Sequence, residues 1–82
     1  MSGTSFKWQF QGYDNGSEIY KTTEWRDLSE ARSFSCENAY QKGIDSFSTN
    51  GGEYQFDIKN MIMYVIDFGF SSGDIPLKRV SF

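Results

Sequence analysis

The stretch "EYQFDIKNMIMYVIDFGF", Glu53 to Phe70, decides how the chain is read. Its first half alternates: Tyr54, Phe56 and Ile58 fall on one side, Gln55, Asp57 and Lys59 on the other. A period of two with one apolar face is the pattern of a half-buried β-strand. Its second half breaks the pattern, because Met61 to Ile66 carries no charge and only the Tyr64 hydroxyl. A strand apolar on both faces needs cover on both, or a partner for one of them. Upstream, Asn50-Gly51-Gly52 is a hairpin signal, since these residues accept the left-handed backbone of a tight turn. The expectation is a strand over Asp45–Thr49, a turn, a strand over Glu53–Ile58, a short turn at Lys59-Asn60 tied by Asp57, and a strand over Met61–Phe68.

Working outward, Phe6, Trp8 and Phe10 alternate with Lys7, Gln9 and Gln11, which predicts a first half-buried strand. Gly12-Tyr13-Asp14-Asn15-Gly16 is a turn cluster, and the returning strand lies between Glu18 and Leu28. Ser29 to Lys42 is the helical segment, with Ala31, Cys36, Ala39 and Tyr40 as a partial apolar stripe. Ser29 or Ser33 supplies the N-cap, Gly43 the left-handed C′ residue, and Lys42 a cation in the last turn. Gly69 to Gly73 reads as a flexible loop and Pro76–Ser81 as a closing strand. The fold class is α+β: a strongly curved antiparallel sheet, a half-barrel of about six strands, with one short helix packed on it.

Eighty-two residues make one domain, 1–82, with its core over about 6–80. A chain of this size buries only about 60% of its unfolded surface, so the 18% aromatic content matters. Phe6, Trp8, Phe10, Tyr20, Trp25, Phe34, Tyr40, Tyr54, Phe56, Tyr64 and Phe68 are the core supply, with Trp8 and Tyr40 expected to be mostly buried. The apolar run Met61–Ile66 is far short of the ~20 residues a membrane helix needs, so no membrane contact is expected. The polar lead Met1-Ser2-Gly3-Thr4 and the following Phe6-Lys7-Trp8 do not form a signal core. One cysteine, Cys36, excludes an internal disulfide and points to an intracellular setting, cytoplasm or nucleus. The chain has no histidine, which removes the usual metal ligand and the usual general base. Cys36 therefore reads as apolar filler, and the expectation is a non-enzyme with no cofactor and no metal. A net charge of −3 disfavours direct DNA binding. Lys78-Arg79 is the only adjacent basic pair; it suits either a phosphate or a solvated strand edge.

The ordered set of Trp8, "ENAYQKG", "EYQFDIKNM" and "PLKRV" resembles a WWE domain over about Phe6 to Val80. Glu37, Ala39, Tyr40 and Gly43 match the family's helix element, and Tyr54, Asp57, Ile58 and Met61 its strand element. Leu77, Lys78 and Arg79 match most of its closing element. The family's second tryptophan falls on Trp25, which leaves a long hairpin loop between Gly12 and Glu24. The alternative is a second strand at Ser17–Tyr20 with an insertion before the helix. The resemblance implies a half-open barrel and a place in ubiquitin ligases or ADP-ribosyltransferases. It also implies recognition of poly-ADP-ribose through iso-ADP-ribose, or of terminal ADP-ribose.

The candidate ligand-binding residues are Phe10, Trp25, Tyr54, Met63, Ile75, Lys78 and Arg79. Tyr54 and Phe10 stand where the family has rings for the adenine, and Trp25 at the rim. Met63 stands where ligand-binding members have Gln, and Ile75 where they have Arg. Arginine suits pyrophosphate because its planar fork is always charged. With both hooks apolar, the resemblance implies a degenerate pocket and weak or altered binding. A protein-interaction or scaffolding domain without a nucleotide ligand is the alternative.

Overall fold

The computed structural model describes residues 6–16, 18–67 and 69–81; residues 1–5, Ser17, Phe68 and Phe82 lie outside the described residues. The elements are β1 (Phe6–Asp14), β2 (Ile19–Asp27), α1 (Glu30–Lys42), β3 (Ser46–Thr49), β4 (Tyr54–Asp57), β5 (Ile62–Asp67), β6 (Phe70–Ser71) and β7 (Ile75–Ser81). The class is α+β. Six strands lie in the order β2-β1-β7-β5-β4-β3, antiparallel throughout, with the two-residue β6 alongside β5. The segment read as a plain loop over Gly69–Gly73 thus contributes a strand.

β7 joins the two halves of the sheet. Leu77 to Ser81 pair with β1, whereas Ile75 and Pro76 pair with Met63 and Ile62 of β5. Pro76 has no N–H to give a ladder, and Leu77 N–H donates instead to the Met61 carbonyl at 2.9 Å. One face of the sheet carries the core: Trp8 and Phe10 of β1, Tyr54 and Phe56 of β4, Met63 of β5, Ile75 and Leu77 of β7. Phe47 of β3 extends it, stacked on Phe56 with centroids 4.9 Å apart. No helix of the described residues is long and apolar enough to cross a membrane.

The helix starts and stops where its capping residues dictate. Ser29, not Ser33, is the N-cap: its Oγ accepts from the Arg32 N–H, and its own N–H donates to Asp14 Oδ2 at 2.9 Å. Gly43 ends it at φ 72°, its N–H donating to Tyr40 and that of Ile44 to Ala39. Only Cys36 and Ala39 of the helix are buried. These small side chains let α1 lie close to β1, where the Trp8 N–H donates to Ser33 Oγ at 2.9 Å.

That close seating corrects the expected burial of Tyr40, which is 46% exposed. One position past Ala39 its side chain turns about 100° away from the seat (3.6 residues per turn). The ring meets Trp8 edge-on at 6.0 Å. Ala31 is exposed as well, and so are Tyr20, Trp25 and Phe34, all expected in the core. Phe6 and Tyr64 are only partly covered.

The hairpin between β1 and β2 is also shorter than expected. Asn15 N–H donates to the Glu18 carbonyl at 3.2 Å, so the turn is tight. The surplus length sits inside β2: Phe10 pairs with Arg26 and Gly12 with Lys21, which leaves Thr22–Trp25 opposite Gln11 alone. Thr22 Oγ1 bridges the Glu24 N–H and carbonyl at 3.3 and 3.2 Å within this excursion. Tyr20 and Trp25 therefore belong to one strand, and the two placements considered for it merge.

Gly12 holds this arrangement. A Cβ there would meet the Phe10 ring at 2.3 Å and the Tyr20 carbonyl oxygen at 2.7 Å. Gly43 has nothing within 4 Å, so a side chain there meets only the backbone penalty, about 1–2 kcal/mol. Urea unfolding is expected to show Gly43→Ala losing about that amount, and Gly12→Ala losing more, because backbone and a core ring must both move. Equal or smaller loss at Gly12 would contradict the register.

Candidate functional site

The residues singled out by the sequence fall in three places. Phe10, Met63 and Ile75 are fully buried and Tyr54 nearly so, all four in the continuous core. Met63 sits between Phe56 of β4 and Ile75 of β7 in register. Trp25 lies away from them on the β2 excursion, partly exposed, with Lys78 Nζ 4.4 Å from its ring centroid. Arg79 is committed to the helix: its Nε and Nη2 donate to the two Glu37 carboxylate oxygens at 2.7 and 2.8 Å.

A charged pair missed in the sequence stands beside Tyr54. Arg32 of α1 lies 4.7 Å from the Tyr54 centroid, and its Nη1 donates to Asp14 Oδ1 at 2.6 Å. The Asp14 side chain has no solvent exposure. Burial alone would raise its carboxyl, but the Ser29 and Gly16 N–H groups and Arg32 outweigh this, so it lies below the ordinary carboxylate range. Asp14 and Arg32 are 18 positions apart, which no local pattern signals.

Glu37 is the other centre. Besides Arg79 it accepts from Trp8 Nε1 at 3.0 Å and from Gln41 Nε2 at 2.7 Å. The Arg79 bonds chiefly, then those from Gln41 and Trp8, hold its carboxyl down at about 2. The Arg79 guanidinium lies 3.6 Å from the Phe6 centroid and 4.3 Å from that of Tyr40. Asp57 ties the β4–β5 turn as expected, accepting from the Asn60 N–H and Nδ2. Cys36 is fully buried; burial first, then Glu37, pushes its thiol up to about 12, so it stays protonated near neutrality. No group of three or more metal-ligating side chains occurs among the described residues.

Two of the surface clefts lie beside these groups. One of ≈390 Å³ runs between the start of β1, the end of β2 and the first turns of α1. The other, ≈320 Å³, lies at the helix N-terminus beside Arg32 and Thr49, whose buried Oγ1 has no hydrogen-bond partner. Compared with known proteins, the chain matches no family model, no curated protein and no solved structure.

The depressed Glu37 value fixes a pH dependence. A carboxyl that drops from 4.5 to about 2 on folding contributes stability present above 4.5 and lost as pH falls through 2. Asp14 acts in the same direction. Unfolding free energy is expected to decline below about pH 4.5 in the native chain. In Glu37→Gln the decline should be shallower, with about 1.5–3 kcal/mol already lost at neutral pH. An unchanged acid limb in that variant would remove Glu37 from the account.

Proposed function

We propose that the chain is a non-catalytic, intracellular interaction module of the WWE type. In this reading its sheet forms a strongly curved half-barrel, its nucleotide pocket is filled by its own side chains, and it works by contacting protein. Its setting would be a ubiquitin ligase or an ADP-ribosyltransferase. The observation that carries the reading is the burial of Phe10, Tyr54, Met63 and Ile75 in one core, with Arg32 laid over the Tyr54 ring. An adenine stacking on Tyr54 would have to displace Arg32 from Asp14. Leaving one partner of a buried pair alone costs about 3–5 kcal/mol. Phosphates brought against Met63 and Ile75 would find no donor there.

A second reading, ADP-ribose recognition in an altered mode, rests on Trp25 and Lys78. A partly exposed ring with an ammonium 4.4 Å from its centroid offers both a stacking surface and a cation. Backbone NMR titration with iso-ADP-ribose, ADP-ribose and ATP separates the readings. The filled-pocket reading predicts no saturable shifts. Shifts at Tyr54, Met63 and Ile75 would overturn it, and shifts confined to Trp25 and Lys78 would favour the second mode.

A further inference from the structure

We infer that the larger cleft, between β1, the end of β2 and α1, receives an arginine-bearing apolar segment of a partner protein. This rests on the protein-contact reading and names the surface and the chemistry of its occupant. The floor is apolar: Leu28 is buried and Phe6 is partly covered. One wall is Phe34, which is 74% exposed on the helix. The rim is acidic. Asp27, Glu30 and Glu37 line it among the described residues, with Lys7 as the lining cation, its Nζ 3.4 Å from Asp27. Glu37 is already taken by Arg79. Among the described residues Glu30 forms no salt bridge.

The molecule shows within itself what such an arrangement binds. Glu37 and Tyr40, a carboxylate and a ring one helical turn apart, hold the Arg79 guanidinium against the Phe6 ring. Glu30 and Phe34 repeat the carboxylate-then-ring pair earlier on the same helix, without the guanidinium. Residues four apart share a helix face. A planar guanidinium stacks on an aromatic ring and forks to a carboxylate at once. Apolar neighbours of that arginine would cover Leu28 and Phe6. The same rim repels an acidic segment.

The test is NMR titration of the labelled chain with the peptide acetyl-Gly-Leu-Arg-Phe-Arg-Leu-Gly-amide and with its counterpart carrying glutamate for both arginines. The arginine peptide is expected to give saturable shifts at Phe6, Leu28, Glu30 and Phe34, and the glutamate peptide none. Glu30→Gln and Phe34→Ala are each expected to weaken binding by about three- to tenfold. Both positions are exposed, so these variants should keep the parent melting temperature and dispersion. Absence of shifts in the cleft overturns the inference, as do diffuse shifts that salt abolishes. Saturable shifts on the opposite sheet face, around Ile62, Tyr64 and Pro76, would overturn the cleft and leave the protein-contact reading standing. Silence with both peptides, together with shifts from iso-ADP-ribose at Tyr54, would remove both.

Discussion

The Glu37 carboxylate is the point on which the architecture closes. It takes hydrogen bonds from Trp8 of the first strand, Arg79 of the last and Gln41 of its own helix. β1 and β7 are neighbours in the sheet, and β7 stands between β1 and the β5-β4-β3 half. One side chain thus fixes the helix across the seam of the sheet. Charge-assisted bonds of this kind are about twice as strong as neutral ones. The Phe6 and Tyr40 rings, both within 4.3 Å of the Arg79 guanidinium, help keep its fork aimed. With the helix so placed, Cys36 and Ala39 press on the core, and Arg32 reaches Asp14 and Tyr54.

That geometry explains the run Met61 to Ile66. β5 lies between β4 and β7, near the middle of the sheet, so it needs apolar residues facing in. Met63 is fully buried, and Met61 and Val65 pack against the core beside it. The outward residues Ile62 and Tyr64 are half-buried, paired across the ladder with Asp57, Pro76 and Gln55. The two apolar faces therefore have different reasons. One is core, and the other is a sheet face partly sheltered by its neighbours.

Periodicity and turn chemistry were legible because they are local. The Phe6-Trp8-Phe10 alternation, the Ser29 and Gly43 caps, the turn at Asn50-Gly51-Gly52 and the Asp57 tie all act within a few residues. What escaped depends on chain segments far apart. The Thr22–Trp25 excursion is visible only against the register of β1, and Gly12 reads as a turn residue until the Phe10 ring lies across it. Aromatic content was a poor guide to burial, since Phe34, Tyr40, Tyr20 and Trp25 stay at the surface while Cys36 and Ala39 seat the helix. Of the candidate site, Glu37 was noted for its position in a pattern, but its four donors come from three elements. Asp14 reads locally as a turn residue, and its pairing with Arg32, 18 positions away, has no local signal.

The central claim is that packing fills the face that carries Tyr54, Met63 and Ile75. Urea unfolding of Met63→Gln tests it most directly, because the substitution places a polar amide at a position with no solvent exposure. A glutamine amide left without partners in a filled core should cost at least about 2 kcal/mol, and the variant should gain no affinity for iso-ADP-ribose. A variant as stable as the parent, binding iso-ADP-ribose with shifts at Tyr54, would show instead that the face is an open pocket.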